Sequence, residues 1–119
     1  MEANQRTGKC KSEFMALQDS LEILGGKWKL LIVHYLAQRT AEENTFKNMQ
    51  RGIPGISAKM LSKELKDLEL NLMVSKEQPG LKTSTASYSI TTYGKKVMPV
   101  TDVLINWGLQ HRLMIKENG

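Results

Sequence analysis

The stretch "GIPGISA" at residues 52–58 places a proline and a glycine between two amphipathic runs, and it constrains the fold more than any other feature. Pro54 fixes φ and Gly55 permits a sharp reversal, so the chain must turn there instead of continuing one helix. Before the turn, Thr45 to Arg51 reads as a short helix carrying Phe46 and Met49 inward. After it, Ser57 is placed to cap a longer helix in which Ile56, Leu61, Leu65 and Leu68 share one side. An advance of about 100° per residue puts Lys59, Ser62, Lys63 and Lys66 on the opposite, solvent side. Two helices joined by so tight a turn form a helix-turn-helix.

The remaining patterns extend this unit in both directions. Residues 1–11 are polar and without periodicity, which predicts a flexible N-terminal arm. Ser12 is the expected cap of a first helix with Phe14, Leu17, Leu21 and Leu24 facing the core, stopped by Gly25-Gly26. Trp28, Leu31, Ile32, Tyr35 and Leu36 follow at the spacing of a second core-facing helix. Beyond the helix-turn-helix, "LMVSKEQ" and "SYSIT" read as two short strands joined by "PGLKTSTA", a hairpin. From about Thr92 the pattern is helical again, with a kink or restart at Pro99. The expected architecture is mainly α with a small β-hairpin wing, an α+β winged helix-turn-helix. It forms one domain over residues 12–116 and dimerises through its terminal helices.

Composition narrows the function. A chain of 119 residues suits one domain of modest core, of the size that often needs a partner to complete it. Seventeen Lys and Arg against twelve Asp and Glu leave a formal charge of +5, which favours polyanions without naming one. The single cysteine excludes an internal disulfide framework, and the longest apolar run, "LLIV", is far too short to cross a bilayer. A cytoplasmic protein with no membrane contact is expected. "LGGKWK" lacks the glycine spacing and the hydroxyl residue of a phosphate loop. His34 and His111 stand apart from any residue at metal-ligand spacing, so neither metal, cofactor nor catalysis is expected.

The order of elements is joined by specific residues: "LGGKWKLLI" at 24–32, Phe46, "PGIS" followed by "ML" and "EL" at 54–65, "YSIT" with Gly94 after it, then Pro99 and Trp107. Together they resemble the HxlR-type winged helix-turn-helix transcriptional regulators over about residues 10–108. The resemblance implies a homodimer on double-stranded DNA, with a recognition helix in the major groove and the wing along the minor groove or backbone. Two departures stand out. Leu72 occupies a place where relatives usually have glycine, so Asn71 is expected to take the left-handed turn. Lys76 stands near the wing's start where an arginine is common, a point charge in place of a fork.

A helix entering the major groove needs small or hydrogen-bonding side chains in its first turn and cations further along. Ser57, Ala58 and Lys59 are therefore assigned to base edges, and Ser62, Lys63 and Lys66 to phosphates. Glu64, Asp67 and Glu69 offset those lysines. Lys82, Thr83 and Ser84 at the wing tip are the expected second contact. Val97, Val100, Leu104, Trp107, His111 and Met114 form a seam assigned to the dimer contact, because Met98, Ile105 and Leu109 add a second stripe beyond what one small domain buries. In some members of this family a cysteine near the N-terminus looks to serve as a redox switch. Cys10, between Lys9 and Lys11, is placed either for that role or as a plain exposed thiol. The expected function is a homodimeric repressor on a palindromic operator, with any small-molecule effector unknown. The alternative is a winged-helix interaction module whose basic face meets an acidic partner.

Overall fold

The computed structural model describes residues 2–78 and 85–118. Five α-helices, a short 3-10 turn and two strands follow the expected order: α1 (Glu2–Leu24), α2 (Lys29–Ala37), α3 (Phe46–Gly52), α4 (Ala58–Leu70), β1 (Val74–Glu77), β2 (Ser87–Ile90), then a 3-10 turn (Gly94–Val97) running into α5 (Met98–Asn118). The strands pair antiparallel, with Val74 opposite Ile90 and Glu77 opposite Ser87. This is a winged helix-turn-helix.

The core lies where α2, α3, α4 and the root of the hairpin meet. Ile32, Val33 and Leu36 of α2, Met49 of α3, and Leu61, Leu65 and Leu68 of α4 are all but fully buried there, with Ile53 and Ile56 filling the turn between α3 and α4. Met73, Val74, Ile90 and Val97 close the far side. Val97, expected at a dimer contact, therefore belongs to the interior of its own subunit. Its 3-10 turn folds back on the hairpin before α5 leaves the domain, so the exposed seam begins only at Val100.

Local chemistry sets both helix starts of the helix-turn-helix. The Thr45 hydroxyl oxygen accepts the Asn48 N–H at 3.2 Å, and the Ser57 hydroxyl oxygen accepts the Met60 N–H at 3.1 Å, so each helix of the helix-turn-helix starts on a side-chain cap. Gly55 supplies a φ of +81° in the turn before α4. Pro99 causes no break, because it occupies the first turn of α5, where its missing N–H has no helical partner to lose.

Three expectations change. The backbone is helical from Glu2, so Ser12 lies within α1 instead of capping it, and residues 2–11 continue that helix in place of an arm. Lys9, Lys11, Glu13 and Ala16 all favour helix, and nothing between them forces a stop. The α1 residues Phe14, Leu17 and Leu21 do not join the core; they are exposed, as are Leu104, Trp107 and Leu109 of α5. The two long helices stand out from the domain, and the radius of gyration is 17.8 Å, against about 13.5 Å for a compact domain of this length. Finally, the left-handed residue after α4 is Leu72, with φ of +66°, while Asn71 stays at φ −93° and its side-chain amide donates to the Asp67 carbonyl at 2.9 Å.

Candidate nucleic-acid interface

The candidate surface is the outer side of α4, a helix about 20 Å long at 1.5 Å per residue. Ala58, Lys59, Ser62, Lys63 and Lys66 are all exposed on it, opposite the buried Leu61, Leu65 and Leu68. The structure thus brings together every assigned residue of this helix on one face. Ser57 sits at its N-terminus with the hydroxyl oxygen engaged as the cap, which leaves its O–H proton to donate outward. Lys82, Thr83 and Ser84 lie outside the described residues.

The acidic residues of α4 do not share that face evenly. Glu64 is 7% exposed and points to the inner side, where its carboxylate is 3.1 Å from the Lys29 ammonium at the start of α2. Asp67 lies 3.6 Å from the same ammonium. Two of the three carboxylates expected to offset the lysines are therefore turned towards α2 and matched by its cation. Among them Glu69 is exposed, Asp67 half-buried and Glu64 buried. The outward field of the helix is set by Lys59, Lys63 and Lys66, and the sign suits a phosphate backbone.

The wing is held at a defined place relative to this helix. Asn44, 2% exposed, donates its side-chain amide to the carbonyls of Arg39 at 3.1 Å and Tyr88 at 3.2 Å, and its own carbonyl accepts the Tyr88 N–H at 2.9 Å. Thr45 forms an isolated bridge to Ser87. The loop before α3 is thereby stitched to β2, and within the hairpin Ser75 and Ser89 join hydroxyls at 3.0 Å. Lys76, opposite Tyr88 in the register, is exposed.

Two residues that sequence reasoning does not single out are Lys29 and Asn44: the partners of Lys29 lie on another helix, and the strand partner of Asn44 is 44 residues away. Neither carries a local signal. Lys27, its neighbour, instead lies over the Trp28 ring at 4.7 Å.

A second surface lies away from α4. Val100, Leu104, Trp107, His111 and Met114 are exposed along α5, with the Trp107 and His111 rings stacked at 4.8 Å. A cleft of about 280 Å³ between α2 and α5, lined by Leu30, Leu31, His34, Thr101, Leu104 and Ile105, adjoins this stripe. Cys10 is exposed on α1, and Lys9 beside it reaches Glu13 at 3.9 Å. Among the described residues no group of three or more His, Cys, Asp or Glu could hold a metal ion, and no helix is long and apolar enough to cross a membrane.

Comparison with known proteins places this geometry. A family model described as HxlR-like helix-turn-helix matches residues 23–115. The chain is 31% identical over 93 residues to an uncharacterized HTH-type transcriptional regulator, BH0655, of Halalkalibacterium halodurans, covering 78% of this chain and 80% of that one. Among solved structures it is similar to the reduced form of the transcriptional regulator YodB from B. subtilis, at 29% identity and a TM-score of 0.66 over 80% of this chain and 90% of the other. The redox regulator HypR in its reduced form, at 24% identity, shares the fold with a TM-score of 0.75 over 86% of this chain and 98% of its own. With a capped recognition helix, a hairpin wing and a family match over most of its length, this chain belongs to the HxlR-like helix-turn-helix family of DNA-binding transcriptional regulators.

Proposed function

We propose that the protein is a cytoplasmic homodimeric repressor that binds a roughly palindromic operator and responds to oxidants or electrophiles through Cys10. The observation that carries the DNA reading is the division of charge on α4: Lys59, Lys63 and Lys66 face solvent while Glu64 and Asp67 turn to Lys29. Each subunit lays α4 in a major groove. Ala58, Lys59 and the Ser57 hydroxyl approach base edges, and Ser62, Lys63 and Lys66 approach phosphates. Lys82, Thr83 and Ser84, between β1 and β2 in the sequence, make the second contact.

The dimer is supported by the unpartnered apolar faces of α1 and α5. Phe14, Leu17, Leu21, Leu104, Trp107 and Leu109 are each at least 48% exposed, a larger apolar surface than a small monomer carries without a use for it. Pairing two subunits across it sets two recognition helices at the spacing of half-sites one helical turn apart, about 34–36 Å. Occupying both half-sites of a promoter operator blocks access to it, which is repression.

Cys10 lies on α1, the helix that carries part of this face, between Lys9 and Lys11. Addition of an electrophile such as a quinone to its thiol puts a bulky group beside the dimer contact and changes how the two α4 helices are spaced. The resemblance to HypR and YodB makes this response reasonable for the present chain.

Selection of bound DNA from a random pool, repeated with a quinone present, tests the whole reading. Enrichment of one inverted repeat, lost on treatment, is the expected result. Retention of DNA without enrichment of any sequence would favour a basic surface that meets an acidic protein instead.

A further inference from the structure

Lys29 lies behind the recognition helix, paired with Glu64 and Asp67, and its surroundings are unlike those of the outward lysines. Its side chain is 14% exposed, that of Glu64 10%. The ammonium stands 3.1 Å from the Glu64 carboxylate and 3.6 Å from that of Asp67, three residues further along α4. Around this pair, Leu61, Leu65 and Leu68 of α4 share one buried apolar cluster with Ile32 and Leu36 of α2, packing that is non-directional.

Apolar packing alone tolerates small rotations of a helix about its axis, because side chains repack at modest cost. An ammonium shared by two carboxylates three residues apart favours one rotation, since a shift that separates Glu64 leaves its nearly buried carboxylate unpaired. The two kinds of DNA contact respond differently to such a rotation. Long lysine side chains follow a displaced phosphate, whereas base-edge hydrogen bonds from the short side chains of the first turn do not.

We propose that Lys29 is a positioning residue for sequence recognition: held by Glu64 and Asp67, it fixes the rotation of α4 so that Ser57, Ala58 and Lys59 meet base edges in register. This rests on the DNA reading given above. The pair raises discrimination between operator and bulk DNA and leaves the affinity for bulk DNA nearly alone. Such a role differs from simple support of the fold, which would lower both affinities together with the melting temperature.

The test uses the full-length protein, an operator taken from selection and a scrambled duplex of equal length, with both dissociation constants measured at one salt concentration. Lys29→Met/Glu64→Met replaces the pair with apolar side chains of similar length. Its melting temperature should hold or rise, its affinity for the scrambled duplex should stay within about threefold, and its preference for the operator should fall at least tenfold. Lys29→Arg should retain the preference. Because the double substitution enters the core, Asp67→Asn provides a milder probe at the exposed end of the cluster. It removes a negative charge, so affinity for every duplex should rise, yet the operator preference should fall severalfold.

Wild-type preference in both Lys29→Met/Glu64→Met and Asp67→Asn would overturn the proposal, as would retention in Asp67→Asn alone if the double variant does not fold. Equal binding of both duplexes by the wild type is a different failure, which overturns the DNA reading and this proposal with it.

Discussion

The Thr91 hydroxyl donates to the Leu72 carbonyl at 2.6 Å and also accepts the Gly94 N–H at 2.8 Å, so one side chain pins the turn after α4 to the turn that starts the last helix. Leu72 is held there with φ of +66°, the one positive φ of a non-glycine residue among the described ones, and the residue is 68% exposed. A leucine in that conformation is strained by about 1–2 kcal/mol and gains little from burial. Replacement by glycine relieves the strain but adds about 0.4–1 kcal/mol of chain entropy to the unfolded state. Leu72→Gly should therefore stabilise the domain by about 0.5–1 kcal/mol, read as a melting temperature higher by a few degrees. An unchanged or lower value would show that the hydrogen bonds of Thr91, not the glycine preference of the site, decide the turn.

Gly94 makes the opposite case. A Cβ at this position would collide with the Met73 carbonyl oxygen, a backbone atom held in the hairpin root, and would crowd the Ile90 side chain. Gly94→Ala should destabilise by about 2–3 kcal/mol, as overpacking against a fixed backbone does. Urea unfolding gives the comparison, and a loss below about 0.5 kcal/mol would mean that the hairpin root yields.

The dimer face allows a direct test. Trp107 is 62% exposed and stacked on His111 in the middle of the apolar stripe of α5. Sedimentation of the wild type should give twice the subunit mass of 13.4 kDa, and Trp107→Glu should sediment as single subunits with its helical content kept. A wild type that sediments as a monomer at micromolar concentration would remove the paired half-sites from the account.

Cys10 is tested through DNA release. On the operator, a quinone should lower wild-type affinity at least tenfold and leave Cys10→Ser unaffected. Equal release of both proteins would assign the exposed thiol no role in sensing.

What could be read from the sequence was what neighbouring residues determine. The helix-turn-helix was legible because Thr45, Ser57, Pro54 and Gly55 act within a few residues of themselves, and because α4 is apolar on one side only. In α2 the same reasoning misplaced Leu31, which is 45% exposed, and overlooked Val33, which is buried. That helix reads Lys-Leu-Leu-Ile-Val-His-Tyr-Leu-Ala, apolar nearly all round, so periodicity cannot choose its inner face. The apolar stripe of α1 was legible as a stripe, but its partner was not, since a core and an oligomer contact draw on the same residue types. The inward turn of Glu64 needed knowledge of where α2 lies, and no local pattern supplies that.

The central claim is that Lys63 and Lys66, on the outward face of α4, neutralise DNA phosphates at a specific site. Its most direct test is the slope of log affinity against log salt for the selected operator, wild type against Lys63→Ala/Lys66→Ala. Each phosphate contact adds about 0.9 to the slope, so removing two lysines from each subunit of a dimer should flatten it by about 3–4 and lower affinity at least a hundredfold at moderate salt. Identical slopes and affinities for the two proteins would contradict the account.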